Sequence, residues 1–415
     1  NNPDNPIINI RSFGENPEDV SAYGTAFIAG ARSNTSSRVL TTAKHFPGHG
    51  DTATDTHMNL ATISGDKARL EQIEWVPFRA AIKNNVDAVM TAHIAVPALD
   101  ASDVPSTLSS KILTGILRDE MDFKGLIVTD ALEMGGIVHE FSSGDAAVRA
   151  IEAGVDVLLM PPDPEAAIDG LVAAVKSGRI SQKRIDQSVT RILQAKARVG
   201  LGTKKLVSLE AIHSVVNAPE SNARAQQICD RAVTLLRNQN DLIPLRSTAS
   251  TAFVVLVEAH SSIEGQAFTQ EVRKRVPAAN IIQVDGAMSD EDLDAAVQRV
   301  GTSEQIVVAA FASVAAYRGN VALGGGFPQM VQSLIATKKP LVLISLGNPY
   351  VIRNFPEVGA YFTTYSTVPP AEVSAVKALF GEITMGGKLP VTIPGIAQYG
   401  DGITLGAIHP IQASR

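Results

Sequence analysis

Residues 125–134 read GLIVTDALEM, a short apolar run that ends abruptly in Thr129-Asp130. A run apolar at every position, rather than at alternate ones, describes a strand buried on both faces, which is the habit of a parallel sheet covered by helices. Similar runs recur on both sides of it: PIINI (6–10), RVLTTAKHF (38–46), VDAVMTAHI (86–94) and VDVLLMP (155–161). Helical patterns lie between them, among them KARLEQIEWVPFRAAIKNN (67–85) and SSKILTGILRDEM (109–121). Polar, chemically capable residues close these strands: Arg11, Lys44 with His45, His93 and Asp130. Reactive groups at the C-terminal ends of successive parallel strands are the mark of a (β/α)8 barrel. An open doubly wound sheet would gather them at one switch point instead.

Five strands do not close an eight-stranded barrel. The expectation is therefore that three βα units precede Asn1, and that this missing N-terminal segment of its own barrel is a partner of the chain. The opening NNPDNPIINIRSFG reads as a processed or shortened N-terminus, so no compartment can be read from it. The helix SQKRIDQSVTRILQAKARVG (181–200) closes the first region, giving a barrel portion over 1–203 and a linker over 204–220. From 221 to 415 a second α/β series follows, with strands expected at 250–259, 280–285, 304–312, 339–347 and 359–366. It reads as an αβα sandwich.

The 415 residues exceed one ordinary core, and 45% apolar with 19% charged residues fits a globular protein. A net charge of −6 gives no reason to expect a nucleic-acid partner. The single cysteine, Cys229, excludes an intrachain disulfide and a cysteine zinc cluster. No run approaches the roughly 20 apolar residues of a membrane span.

The chemistry concentrates in KHFPGHGDTATDTH (44–57). Pro47, Gly48 and Gly50 end the strand and make a loop with Gly48, His49, Gly50 and Asp51 at its tip. Asp55 and His57 stand two apart, close enough for the carboxylate to orient the imidazole and favour its protonated form, as a histidine general acid requires. The HxxxH pair His45/His49 suits a metal only on a helix, which Pro47 and the glycines forbid. A metal-dependent hydrolase on His45, His49, Asp51 and His57 is nevertheless the alternative reading of this cluster. Asp130 has two readings that periodicity does not separate: a functional carboxylate at a strand end, or the N-cap of the next helix, with Glu133 at capping-box spacing.

The segments KHFPGHGDxxxDxH and TDALxM together resemble glycoside hydrolase family 3, in its β-N-acetylglucosaminidase branch. The likeness runs on through IRSFGENPEDV (10–20), VMTAHI (89–94), PSTLSSKIL (105–113), SLGNPY (345–350) and GKLPVTIP (387–394), nearly the whole chain. The resemblance implies that Asp130 is the nucleophile and His57 the general acid/base with Asp55 as its partner. It implies that Arg11, Lys44 and His45 bind sugar hydroxyls, while His93 lines the pocket or packs in the core. The substrate implied is a small carbohydrate, a terminal β-linked N-acetylglucosamine on a muropeptide or chitin fragment, with no cofactor and no metal. Because a neutral histidine does not repel an anionic acceptor, phosphorolysis stands as a second outcome for the same site.

Overall fold

The computed structural model describes residues 2–34, 38–203, 205–246, 248, 250–259, 261–314 and 323–408. They fall into two compact units, one that ends at Ser208 and a second that begins at Leu209. Among the described residues no helix is long and apolar enough to cross a membrane.

In the first unit β1 (Thr42–Phe46), β3 (Ala88–Thr91), β5 (Leu126–Ala131) and β6 (Val157–Leu159) form one parallel sheet in the order β1-β3-β5-β6. Each strand joins the sheet beside the one before it, the single-direction winding of a barrel rather than the reversal of a doubly wound sheet. A two-residue ladder, β2 (Ala61–Thr62) with β4 (Ile94–Ala95), ties the loop after β1 to the loop after β3.

Two expectations fail locally. PIINI is not a strand: Asn5 accepts the backbone N–H groups of Ile7 and Ile8 on its side-chain oxygen (2.9 and 2.8 Å), and the chain turns through a 3-10 helix at Asn9–Arg11. Those donors are lost to any strand ladder. Arg11 therefore comes from a turn, its guanidinium donating to the Ile7 carbonyl (2.9 Å). The helix expected over 67–85 breaks into Lys67–Gln72 and Trp75–Lys83, because Pro77 cannot supply the N–H that a continuous ladder needs. Glu74 sits at the break.

The two ends of the sheet carry different chemistry. At the N-terminal end, Asp87 and Asp156 immediately precede β3 and β6, and both side chains are wholly buried. Asp87 is met by Arg32, Arg38 and Arg198 and by the Thr41 N–H. Around Asp156 stand Arg118, Arg191 (2.9 Å), Ser188 (2.6 Å) and the Ile127 N–H (3.0 Å). The long helix Gln182–Arg198 supplies Ser188 and Arg191 and packs Ala195 over Ala88 and Leu126. Asp156→Ala leaves the guanidinium groups of Arg118, Arg191 and Arg184 (3.8 Å) without their shared carboxylate, so the unit is expected to lose about 3–5 kcal/mol. Urea unfolding would read this as a lower midpoint at unchanged slope.

In the second unit six strands follow the order β7-β12-β11-β10-β8-β9, all parallel except β7 (Thr234–Asn238), which runs antiparallel to β12 (Ala360–Thr363). The expected strands appear as β8 (Thr251–Val257), β9 (Asn280–Asp285), β10 (Gln305–Ala312), β11 (Leu341–Gly347) and β12. Along β8, Ala252, Val254 and Leu256 enter one apolar cluster while Phe253, Val255 and Val257 enter another. Both faces of the sheet are buried, which makes the sandwich three-layered. The stretch 204–220, expected as linker, holds a one-turn helix at Ile212–Val215 and the start of the helix Pro219–Ala232; Lys204 lies outside the described residues.

Candidate active site

The C-terminal ends of β1, β3 and β5 bring the candidate residues together. Lys44 and His45 lie within β1, and Asp130 is the penultimate residue of β5. His45 Nε2 stands 3.6 Å from Asp130 Oδ2, within ion-pair range but longer than a hydrogen bond. Burial, reinforced by His49, Lys44 and Arg11, holds the His45 imidazole well below the usual histidine range. Burial and the Arg11 charge also lower Lys44, with Asp130 opposing them. Arg11, Lys44, His45 and His49 all line one cavity of about 370 Å³ whose other walls include Phe13, Phe27 and Phe78.

Asp130 is not a helix cap. The following helix, Gly135–Val138, has Met134 at its N-cap with no side-chain cap, whereas Asp130 Oδ1 accepts from the Ala131 N–H (2.9 Å). The carboxylate is held at the strand end and remains 19% exposed, an accessible position for a reacting group.

Asp55 and His57 do form a pair. Asp55 Oδ1 accepts from the His57 backbone N–H and faces His57 Nδ1, each at 2.9 Å. Asp55 is buried, so the ring is oriented by a carboxylate that solvent barely reaches. The loop bearing this dyad is anchored to the turn after Asp130: Gly135 N–H donates to the His57 carbonyl (3.0 Å) and Gly136 N–H to that of Thr56 (3.4 Å). Any Cβ at Gly135 would lie 2.5 Å from the Met58 carbonyl oxygen and 2.8 Å from that of His57. Only glycine lets the loop approach so closely.

His93 turns inward. Its Nε2 meets the Ala131 carbonyl (2.9 Å), so that nitrogen carries the proton, and Nδ1 lies 2.8 Å from Thr107 Oγ1, whose hydroxyl also reaches the Ala92 carbonyl (3.0 Å). With both nitrogens engaged and the residue 1% exposed, His93 braces the end of β5 beside Asp130. A sugar-binding role does not fit these partners.

At the loop tip His49 is internal while Asp51 is partly exposed. His49 is buried between Thr52 and Thr56, and burial lowers its imidazole to about 4. Asp51 pairs with Arg69 (3.0 Å), which also reaches Glu74 (3.3 Å). Gly48 has φ +141°, and a Cβ there would lie 2.6 Å from Glu74 Cγ. His49 thus meets Thr52 and Thr56 of its own loop, and Asp51 is tied to the helix Lys67–Gln72 through Arg69. Among the described residues no group of three His, Cys, Asp or Glu gathers as a metal site. Asn5, Thr52, Thr56, Thr107 and Gly135 escaped the sequence reading, although the threonines at 52 and 56 alternate visibly with the charged residues.

A strand-end carboxylate and an aspartate-oriented histidine on a neighbouring loop are groups able to serve as a nucleophile and a proton donor. Residues 1–195 match the model described as glycosyl hydrolase family 3 N terminal domain, and residues 233–405 the family 3 C-terminal domain. The structure of a family 3 β-N-acetylglucosaminidase from Paenibacillus sp. str. FPU-7 is 32% identical with a TM-score of 0.82, over 94% of this chain and 74% of that one. Beta-hexosaminidase A of Pseudoalteromonas piscicida is 28% identical over 94% of this chain and 72% of its own length. A β-glucoside phosphorylase structure is 25% identical with a TM-score of 0.82, over 95% of this chain and 72% of that one. The chain belongs to glycoside hydrolase family 3. It is a glycosidase whose two units are the barrel-type domain and the sandwich domain of that family.

Proposed function

We propose that the chain is a retaining β-N-acetylglucosaminidase acting on terminal β-linked N-acetylglucosamine of muropeptide or chitin-type fragments. The observation that carries this reading is the Asp55–His57 pair (2.9 Å) on a loop hydrogen-bonded to the turn just beyond Asp130. Asp130 attacks the anomeric carbon as the C–O bond breaks, and the departing oxygen takes a proton from His57. Asp55 holds Nδ1, so Nε2 is the nitrogen that exchanges this proton. In the second step neutral His57 removes a proton from water, the oxygen adds to the anomeric carbon, and the Asp130 ester is released with the β configuration restored. Arg11, Lys44 and His45, gathered on one cavity wall, bind the sugar hydroxyls. The hexosaminidase and N-acetylglucosaminidase names of the relatives support the amino-sugar specificity.

A second reading has inorganic phosphate as the acceptor. The neutral base suits an anion, and a phosphorylase stands among the similar structures. Turnover of an aryl β-N-acetylglucosaminide with and without phosphate distinguishes the two. Free N-acetylglucosamine as the product in both buffers is the expected result; accumulation of the sugar 1-phosphate would reassign the activity.

A further inference from the structure

We infer that His49, with Thr56, is a positioning residue: a fixed hydrogen-bond chain from Asn5 through Thr52 and His49 to Thr56 sets the geometry of the Asp55–His57 dyad. The inference rests on His57 being the proton donor.

The hydrogen-bond chain begins at Asn5 and every link in it is buried. Asn5, wholly buried, accepts the Ile7 and Ile8 N–H groups on Oδ1, which fixes its amide orientation. Its Nδ2 then donates to the His49 carbonyl (2.8 Å), with the Gly50 carbonyl and Thr52 Oγ1 each at 3.3 Å. The single Thr52 hydroxyl proton is shared between the His49 carbonyl (3.3 Å) and His49 Nδ1 (3.1 Å). On the other side of the ring Nε2 meets Thr56 Oγ1 at 3.1 Å. Burial keeps this imidazole neutral at ordinary pH, so one ring nitrogen donates and the other accepts, and both stay bonded within the chain.

Thr56 is thereby clamped twice, by its hydroxyl to His49 and by its carbonyl to Gly136 N–H. Its immediate neighbours in sequence are the two members of the dyad. The same His49 ring packs edge-on against His45 (5.5 Å between centroids), whose Nε2 stands 3.6 Å from Asp130. One buried imidazole thus ties the proton-transferring residue to the strand that faces the nucleophile. A displaced general acid costs most where the leaving group most needs its proton.

The test compares Thr56→Val, which keeps the shape and removes the hydroxyl, with Thr56→Ser, which restores it. His57→Ala is measured alongside, on an alkyl and on a 2,4-dinitrophenyl β-N-acetylglucosaminide. Thr56→Val is expected to lower kcat on the alkyl substrate about 10-fold or more and on the dinitrophenyl substrate less than about 3-fold, with KM nearly unchanged. Thr56→Ser should recover most of the loss. If Thr56→Val folds poorly, Thr56→Ala, which adds no bulk, is read in the same way. Equal losses on both substrates, or none, while His57→Ala still separates them, would overturn the inference and leave the function intact. If His57→Ala does not separate the substrates, the proton-donor assignment falls and this inference falls with it.

Discussion

Asp130→Ala is expected to reduce turnover of an aryl β-N-acetylglucosaminide by about 10⁴-fold or more, since both chemical steps pass through this carboxylate. The fold should survive, because Asp130 is partly exposed and the hydrogen bond it accepts comes from its own neighbour, Ala131. The truncated side chain leaves space beside the anomeric carbon for a small anion. Added azide should therefore restore turnover of substrates with good leaving groups and yield the α-glycosyl azide, with inverted configuration. Restoration that yields the β-azide, or a loss smaller than about 10-fold, would place the nucleophile elsewhere.

The second large effect belongs to His57. General acid catalysis is worth about 10²–10⁴-fold, and only where the leaving oxygen needs a proton to depart. His57→Ala should lose that full factor on alkyl glycosides and far less on dinitrophenyl glycosides. With the latter, the glycosyl intermediate should accumulate, since its hydrolysis still calls for a base. A burst of dinitrophenol equal to the enzyme concentration is the expected trace. Equal losses on both substrates would remove His57 from the proton-transfer role, whatever holds its Nδ1.

Much of the fold was legible because burial on both faces leaves a plain record. Val254, Val255 and Leu256 enter opposite cores in alternation, so β8 had to be apolar at every position, and the same holds for β10 and β11. The strand β7 went unread because it is short, lies at the sheet edge and is only partly buried. PIINI misled for the opposite reason. It has the composition of a strand, but a single side chain, that of Asn5, withdraws two of its donors and bends it into a turn.

At the site, the pairing of Asp55 with His57 could be read from spacing, since residues two apart in an irregular loop reach each other without help from the fold. The inward turn of His93 could not. Its partners, Thr107 and the Ala131 carbonyl, lie 14 and 38 residues away: the parallel pairing of β3 with β5 brings Ala131 near, and the turn Ser106–Leu108, bonded back to the Ala92 carbonyl, brings Thr107. The same holds for Gly135, whose need to be glycine appears only once the His57 and Met58 carbonyls are known to lie against it.

The central claim is that Asp130 forms a glycosyl ester during turnover. An activated 5-fluoro-β-N-acetylglucosaminide forms such an ester and loses it slowly, so mass spectrometry of the digested protein reads the site directly. One fluoroglycosyl unit on the peptide containing Asp130, absent from Asp130→Ala, is the predicted result. A label on any other residue, or steady release of an inverted product with no label at all, would contradict it.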